Sequence, residues 1–160
     1  MRRNLVDKYA VNSIRMDQMN RQDWTLLAIS FGGEAGLSPV QLQKSLFLLG
    51  RELPEDLGEF YTFVAHNYGP FSKAIYHDAE LLAGQGLVAI SSAPWQSYPV
   101  YRVTGSGAAR AEALVQSAGP AAAGYLRTVV KWARSRSFAE LVSAIYAKYP
   151  EFRVNSVFQY

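Results

Sequence analysis

The sequence contains no cysteine. That excludes disulfides, thiolate nucleophiles and cysteine-ligated zinc, and it matches the reducing conditions of a cytoplasmic location. No stretch approaches the ~18 apolar residues of a membrane span. The basic start, MRRNLVDKYAVN, lacks the apolar run of a secretory signal, so no membrane association is expected. Charge is also thin, at 18% of residues against roughly a quarter in ordinary globular chains, which predicts extensive packing or an apolar partner surface. Histidine is confined to His66 and His77.

What is present is a full core's worth of apolar residues, 49% of the 160, enough for one folded domain over 1–160. The net charge is +3, unevenly spread. Residues 25–70 carry two basic groups against five acidic ones, four of the five between Glu52 and Glu59, whereas residues 105–160 carry seven basic groups against three acidic ones. A polyanionic partner is permitted by this distribution, not required by it.

Start and stop signals divide the chain. Asn20 with Asp23, Ser38 with Gln41 (Pro39 between them at the first helical position), and Ser137 with Glu140 form capping boxes, each opening a helix. Leu42, Leu46, Leu49 and Leu53 make one buried stripe, stopped by Pro54. Residues 58–68 are rich in aromatic and β-branched side chains and read as a strand. Gly69-Pro70 reads as a turn before a helix over 71–84, with Phe71, Ala74, Ile75, Leu81 and Leu82 as its inner face. Two strands, 87–91 and 98–104, flank a loop with Trp95 near its tip. Helices over 105–118, from Pro120, and over 137–149 follow; the last is expected to bury Phe138, Leu141, Val142, Ile145 and Tyr149. The apolar tail, EFRVNSVFQY, is expected to pack on the domain. The fold class predicted is mainly α with a small antiparallel β wing: a winged-helix-like core over 20–118, a C-terminal helical extension over 120–160, and added helix N-terminal to the core.

Residues 38–107 resemble the Panacea antitoxin-domain family, also called SocA-like, and a related group of uncharacterised bacterial proteins of the YwgA type. The resemblance is carried by Leu42, Gln43 and Lys44; Tyr68, Gly69 and Pro70; Gly86 and Leu87; and Tyr101 and Thr104. It covers about seventy of the 160 residues. It implies a winged-helix-like fold, a bacterial or phage origin and, for the Panacea family, neutralisation of a toxin by protein contact.

The chemistry-bearing residues argue against catalysis. His66 and His77 are eleven apart across a Gly-Pro turn, unlike the i, i+4 spacing that places two ligands on one helix face. Ser72 with His77 lacks a nucleophile-elbow sequence and an assignable orienting acid. The bland assignment is that His66 ends a strand, Ser72 opens a helix and His77 faces solvent. GSGAAR at 105–110 lacks the lysine of a phosphate-binding loop and the third glycine of a dinucleotide fingerprint. No cofactor, metal or catalytic residue is expected.

Two binding functions remain. A reading helix over 71–84 would present Lys73, Tyr76, His77 and Glu80, with Asp78 nearby, and the wing would add only Trp95 and Arg102. That is a poor surface for a polyanion, since neutralising about six phosphates takes about six cations. A stripe of Arg127, Lys131 and Arg134 is either an ordinary solvated face or a surface for phosphate or acid, including the Glu52–Glu59 stretch of a second copy in a homodimer. The expectation is a regulatory module that recognises a protein partner, with a DNA-binding regulator as the alternative.

Overall fold

A computed structural model describes residues 19–159. Any helix N-terminal to residue 19 therefore lies outside the described residues. The chain is mainly helical with two small antiparallel sheets. In order it runs α1 (Arg21–Phe31), α2 (Pro39–Glu52), the hairpin β1 (Val64–His66) and β2 (Gly69–Phe71), α3 (Lys73–Gly84), the ribbon β3 (Val88–Ser91) and β4 (Val100–Val103), α4 (Gly105–Ala118), α5 (Pro120–Arg134) and α6 (Phe138–Lys148). Short 3-10 turns at Gly33–Ala35, Pro54–Asp56 and Pro150–Arg153 link them.

Helix starts follow their capping chemistry. All three predicted capping boxes form, each with the cap side chain accepting from the third helical N–H and the third side chain accepting in return. Thr104 caps α4 by accepting from the Gly107 N–H, while its own hydroxyl donates to the Gly86 carbonyl at 2.6 Å. Gly107 is needed for a different reason: a Cβ there would overlap the Leu87 carbonyl, so α4 can start against the ribbon only with glycine.

The core is continuous across the chain. Trp24, Leu27 and Ile29 of α1, Leu42, Leu46 and Leu49 of α2, Ile75 and Leu82 of α3, Leu114 of α4, and Leu126 and Val130 of α5 share one buried cluster. A second cluster is aromatic: Phe63, Tyr149 and Phe152 meet the Phe47 ring edge to face at 4.9–5.3 Å, with Arg51 above them.

Four local expectations change. Most of the strand expected over 58–68 is absent, and only Val64–His66 pairs. Residues 57–61 are held by other bonds, for the Leu57 carbonyl accepts from Trp24 Nε1 and the Tyr61 hydroxyl donates to Asp78. Gly69-Pro70 is strand, not turn; the turn falls at Asn67-Tyr68, Gly69 has φ +100°, and Ser72 rather than Pro70 precedes the helix. Leu81 is 41% exposed, because Ile75, Ala79 and Leu82 define the inner face of α3 and Leu81 lies about 100° from Leu82. Phe138, at the first position of α6, is 44% exposed and packs on Tyr68 and Phe158 at the surface. The tail does pack: the Val157 N–H and Asn155 Nδ2 donate to the Asn67 and Ala65 carbonyls of the hairpin.

Candidate functional site

The sequence motif around Gln43 and Lys44 becomes intelligible beside β2. Gln43 is buried on α2 and clamps the Ser72 backbone in both directions. Its Oε1 accepts from the Ser72 N–H at 2.9 Å, and its Nε2 donates to the Ser72 carbonyl at 2.8 Å. Lys44, the next residue, donates from Nζ to the Pro70 carbonyl at 3.0 Å. Proline has no N–H to offer the sheet, and its carbonyl is taken by this lysine. The Leu-Gln-Lys helix and the Tyr-Gly-Pro turn and strand are thus one device, in which Leu42 supplies core packing and the next two side chains pin the strand that leads into α3.

Lys44 is 3% exposed, and no carboxylate pairs with it among the described residues. Burial pushes its pKa down to about 7, favouring the neutral amine. Tyr146 of α6 lies close by: a Cβ on Gly69 would sit 3.2 Å from Tyr146 Cε1 and 3.7 Å from Lys44 Nζ. The Tyr146 hydroxyl is buried and has no hydrogen-bond partner among the described residues.

Above Lys44 opens a groove of about 950 Å³. One wall is the start of α2 (Ser38–Gln41), another the hairpin with His66, Tyr68 and Phe71, and a third the ribbon approach at Tyr98. The end of α5 and the start of α6 close it with Arg134, Arg136 and Phe138. Its lining holds three permanent or potential cations (Lys44, Arg134 and Arg136) besides His66, and no Asp or Glu. The walls are aromatic: Tyr68 meets Phe138 edge to face at 5.0 Å, and His66 stacks on Phe71 at 4.5 Å.

The remaining expected residues divide. Tyr76 is not on an outer face; it is half-buried in the groove wall, parallel to the Tyr101 ring, and burial foremost raises its pKa to about 12. Asp78 is not outward either but 1% exposed, accepting from Arg21 and Tyr61. Lys73, His77 and Glu80 are exposed. Trp95 is 84% exposed at the loop between β3 and β4. Arg102 is engaged, donating to the Glu34 carbonyl and Ser91 Oγ. In the basic stripe, Arg127 stacks over Phe31 at 4.4 Å, Lys131 is exposed, and only Arg134 reaches the groove. Glu52 of the acidic stretch bonds Lys148 Nζ at 2.8 Å. Tyr101 is buried and Thr104 is a helix cap, so both belong to the frame.

Tyr98 and Phe138 escaped sequence reading as groove residues because the groove joins segments far apart in the chain, and nothing local marks an aromatic as a groove wall. Among the described residues no cluster of three or more His, Asp or Glu side chains is placed to hold a metal ion. No helix among them is long and apolar enough to cross a membrane. No family model matches the chain, and no curated protein matches it.

Proposed function

We propose that the chain is a non-enzymatic regulatory module that recognises a protein partner through the groove, antitoxin-like in the sense of the resemblance described above. The observation that carries this reading is the groove itself: residues of the Leu-Gln-Lys and Tyr-Gly-Pro motifs converge with Tyr98 and Phe138 on one aromatic-walled cleft of about 950 Å³. Aromatic rims of this kind bury much area at little conformational cost, which favours recognition by contact. Ser72 supports a role without chemistry, since it is buried and its backbone is held by Gln43, while His77 faces solvent. The winged-helix-like description belongs to the same reading, with the β3–β4 ribbon as wing.

The alternative is a DNA-binding regulator, and the exposed Lys131 and Arg134 are the feature in its favour. Two observations weigh against it. About twenty residues, including the β1–β2 hairpin, separate α2 from α3, where a helix-turn-helix has a turn of about three or four. The exposed face of α3 carries Lys73 but also Glu80. Titration of a labelled mixed-sequence duplex, followed by anisotropy at about 50 and about 200 mM salt, decides between them. Absence of binding at the lower salt is expected. Binding that weakens tenfold or more at the higher salt would put DNA first.

A further inference from the structure

We propose that the groove floor is a carboxylate seat, in which Lys44 Nζ, set between the Pro70 carbonyl and the Gly69 backbone, receives a carboxylate of the protein partner. The inference rests on the protein-recognition reading and adds to it the chemistry of the partner: an acidic segment. Arg134 and Arg136 at the rim attract that segment, and Lys44 holds one of its carboxylates.

Charge complementarity carries the argument. The groove lining presents Lys44, Arg134 and Arg136 and no acidic side chain. An ammonium has three donors, and among the described residues Lys44 has one hydrogen-bond acceptor, the Pro70 carbonyl. A buried cation without a counter-charge is unfavourable, and the structure handles its other deeply buried charge differently: Asp78 has both Arg21 and Tyr61. A carboxylate entering the groove supplies the missing charge and accepts a second Lys44 donor.

The second observation is Gly69, which lines the groove beside Lys44: the place a Cβ would take there lies 3.7 Å from Lys44 Nζ. Gly69 leaves this corner free of side-chain atoms: a Cβ there would approach Tyr146 to 3.2 Å, and its φ of +100° is one that L side chains rarely adopt. The first turns of α2 and α6 also border the groove, adding the positive ends of two helices. Three cations, one of them on the floor, are too few for a polynucleotide track, which favours a peptide with scattered acids.

The test uses the whole chain and fluorescein-labelled octapeptides followed by anisotropy: alternating Glu and Tyr with an amidated C-terminus, the Gln counterpart amidated, the Gln counterpart with a free C-terminal carboxylate, and a labelled dT8. We expect the Glu peptide to bind about tenfold or more tighter than the amidated Gln peptide, as one charge-assisted hydrogen bond implies. Lys44→Met should remove that preference, while Lys73→Met, on the exposed face of α3, should keep it. Recovery of binding in the free-acid Gln peptide alone would assign the seat to a chain terminus; preference for the Glu peptide assigns it to side chains. Equal binding of the Glu peptide and both Gln peptides, or an undiminished preference in Lys44→Met, overturns the seat while leaving protein recognition by the groove intact. So does failure of every peptide to bind, since the duplex titration judges the broader reading separately. Binding of dT8 alone overturns both. Should Lys44→Met fail to fold, Lys44→Gln keeps a donor for the Pro70 carbonyl and removes the charge, with the preference for the Glu peptide expected to fall to less than about threefold. An undiminished preference in that variant overturns the seat.

Discussion

Two buried polar clusters flank the same helical core, and they are built on opposite terms. On one side Asp78 accepts from Arg21 Nε at 2.9 Å and from the Tyr61 hydroxyl at 2.7 Å, and Thr25 Oγ1 lies 2.6 Å from that hydroxyl. The hydrogen bond and charge of Asp78 raise the Arg21 pKa, and burial raises that of Tyr61. Charge is balanced there, and the cluster ties α1, α3 and the segment before β1 together. On the other side Lys44 has a backbone carbonyl and, among the described residues, no counter-charge. A satisfied network is a fastening. A cluster left short of acceptors at the floor of a groove is where a ligand's oxygens would complete the bonding.

Breaking the satisfied cluster should have the largest effect. Asp78→Ala removes the acceptor of the Arg21 guanidinium and the shorter acceptor of the Tyr61 hydroxyl, leaving that hydroxyl only the Arg21 carbonyl at 3.2 Å and Thr25 Oγ1, and we expect a loss of roughly 3 kcal/mol in urea unfolding. The figure sits at the low end for broken buried pairs because the Arg21 side chain, 34% exposed, can turn to water. A loss under about 1 kcal/mol would mean that this network does not fasten the fold.

Gln43→Leu probes the frame on the groove side. It leaves the Ser72 N–H and carbonyl without their side-chain partner in a buried setting, for an expected loss of roughly 2 kcal/mol by the same measurement. The β2–α3 junction should loosen most, visible as faster amide exchange at Ser72 and Lys73.

Lys44 should behave in the opposite sense. In the unfolded chain its ammonium persists to the ordinary 10.5, whereas burial brings the folded value to about 7. Between those values the unfolded state binds more protons, so stability rises with pH, with a slope approaching ~1.4 kcal/mol per pH unit. Above about pH 10 the buried tyrosines reverse the trend, since Tyr76 and Tyr125 are held protonated to about 12 while their unfolded counterparts ionise. Urea unfolding from pH 7.5 to 9.5 should show the rise in the wild type and a flat profile in Lys44→Met. A parallel slope in both would remove the strain assigned to Lys44.

The elements were legible in the sequence where the chemistry is local. Three capping boxes and the prolines at 39, 54, 120 and 150 set helix ends that the structure reproduces within a residue or two. Legibility failed where long-range bonding decides. Tyr61 looks like a strand residue by composition, yet its hydroxyl bonds Asp78, seventeen positions on. Asp78 looks like a surface acid beside His77, yet Arg21, fifty-seven positions before it, takes it inside. Gln43 and Lys44 were marked by the motif, but their role appears only when β2 lies across α2. The groove needs five separate segments, and periodicity within any one of them cannot announce it.

The smallest effect belongs to Trp95, and it sharpens the contrast from the groove side. An indole at 84% exposure contributes little to the folded state, so Trp95→Ser should change stability by less than about 0.5 kcal/mol. Trp95 nonetheless adjoins Gln96, which with Ser97 and Tyr98 lines the groove. An exposed tryptophan at that position either extends the recognition surface or stands outside it. If it extends the surface, Trp95→Ser should weaken the Glu–Tyr peptide about tenfold while leaving the Lys44-dependent preference for Glu over Gln intact, because apolar area and carboxylate capture are separate contributions. Loss of that preference together with affinity would place Trp95 against the seat itself, and an unchanged affinity would confine recognition to the walls formed by Tyr68, Tyr98 and Phe138.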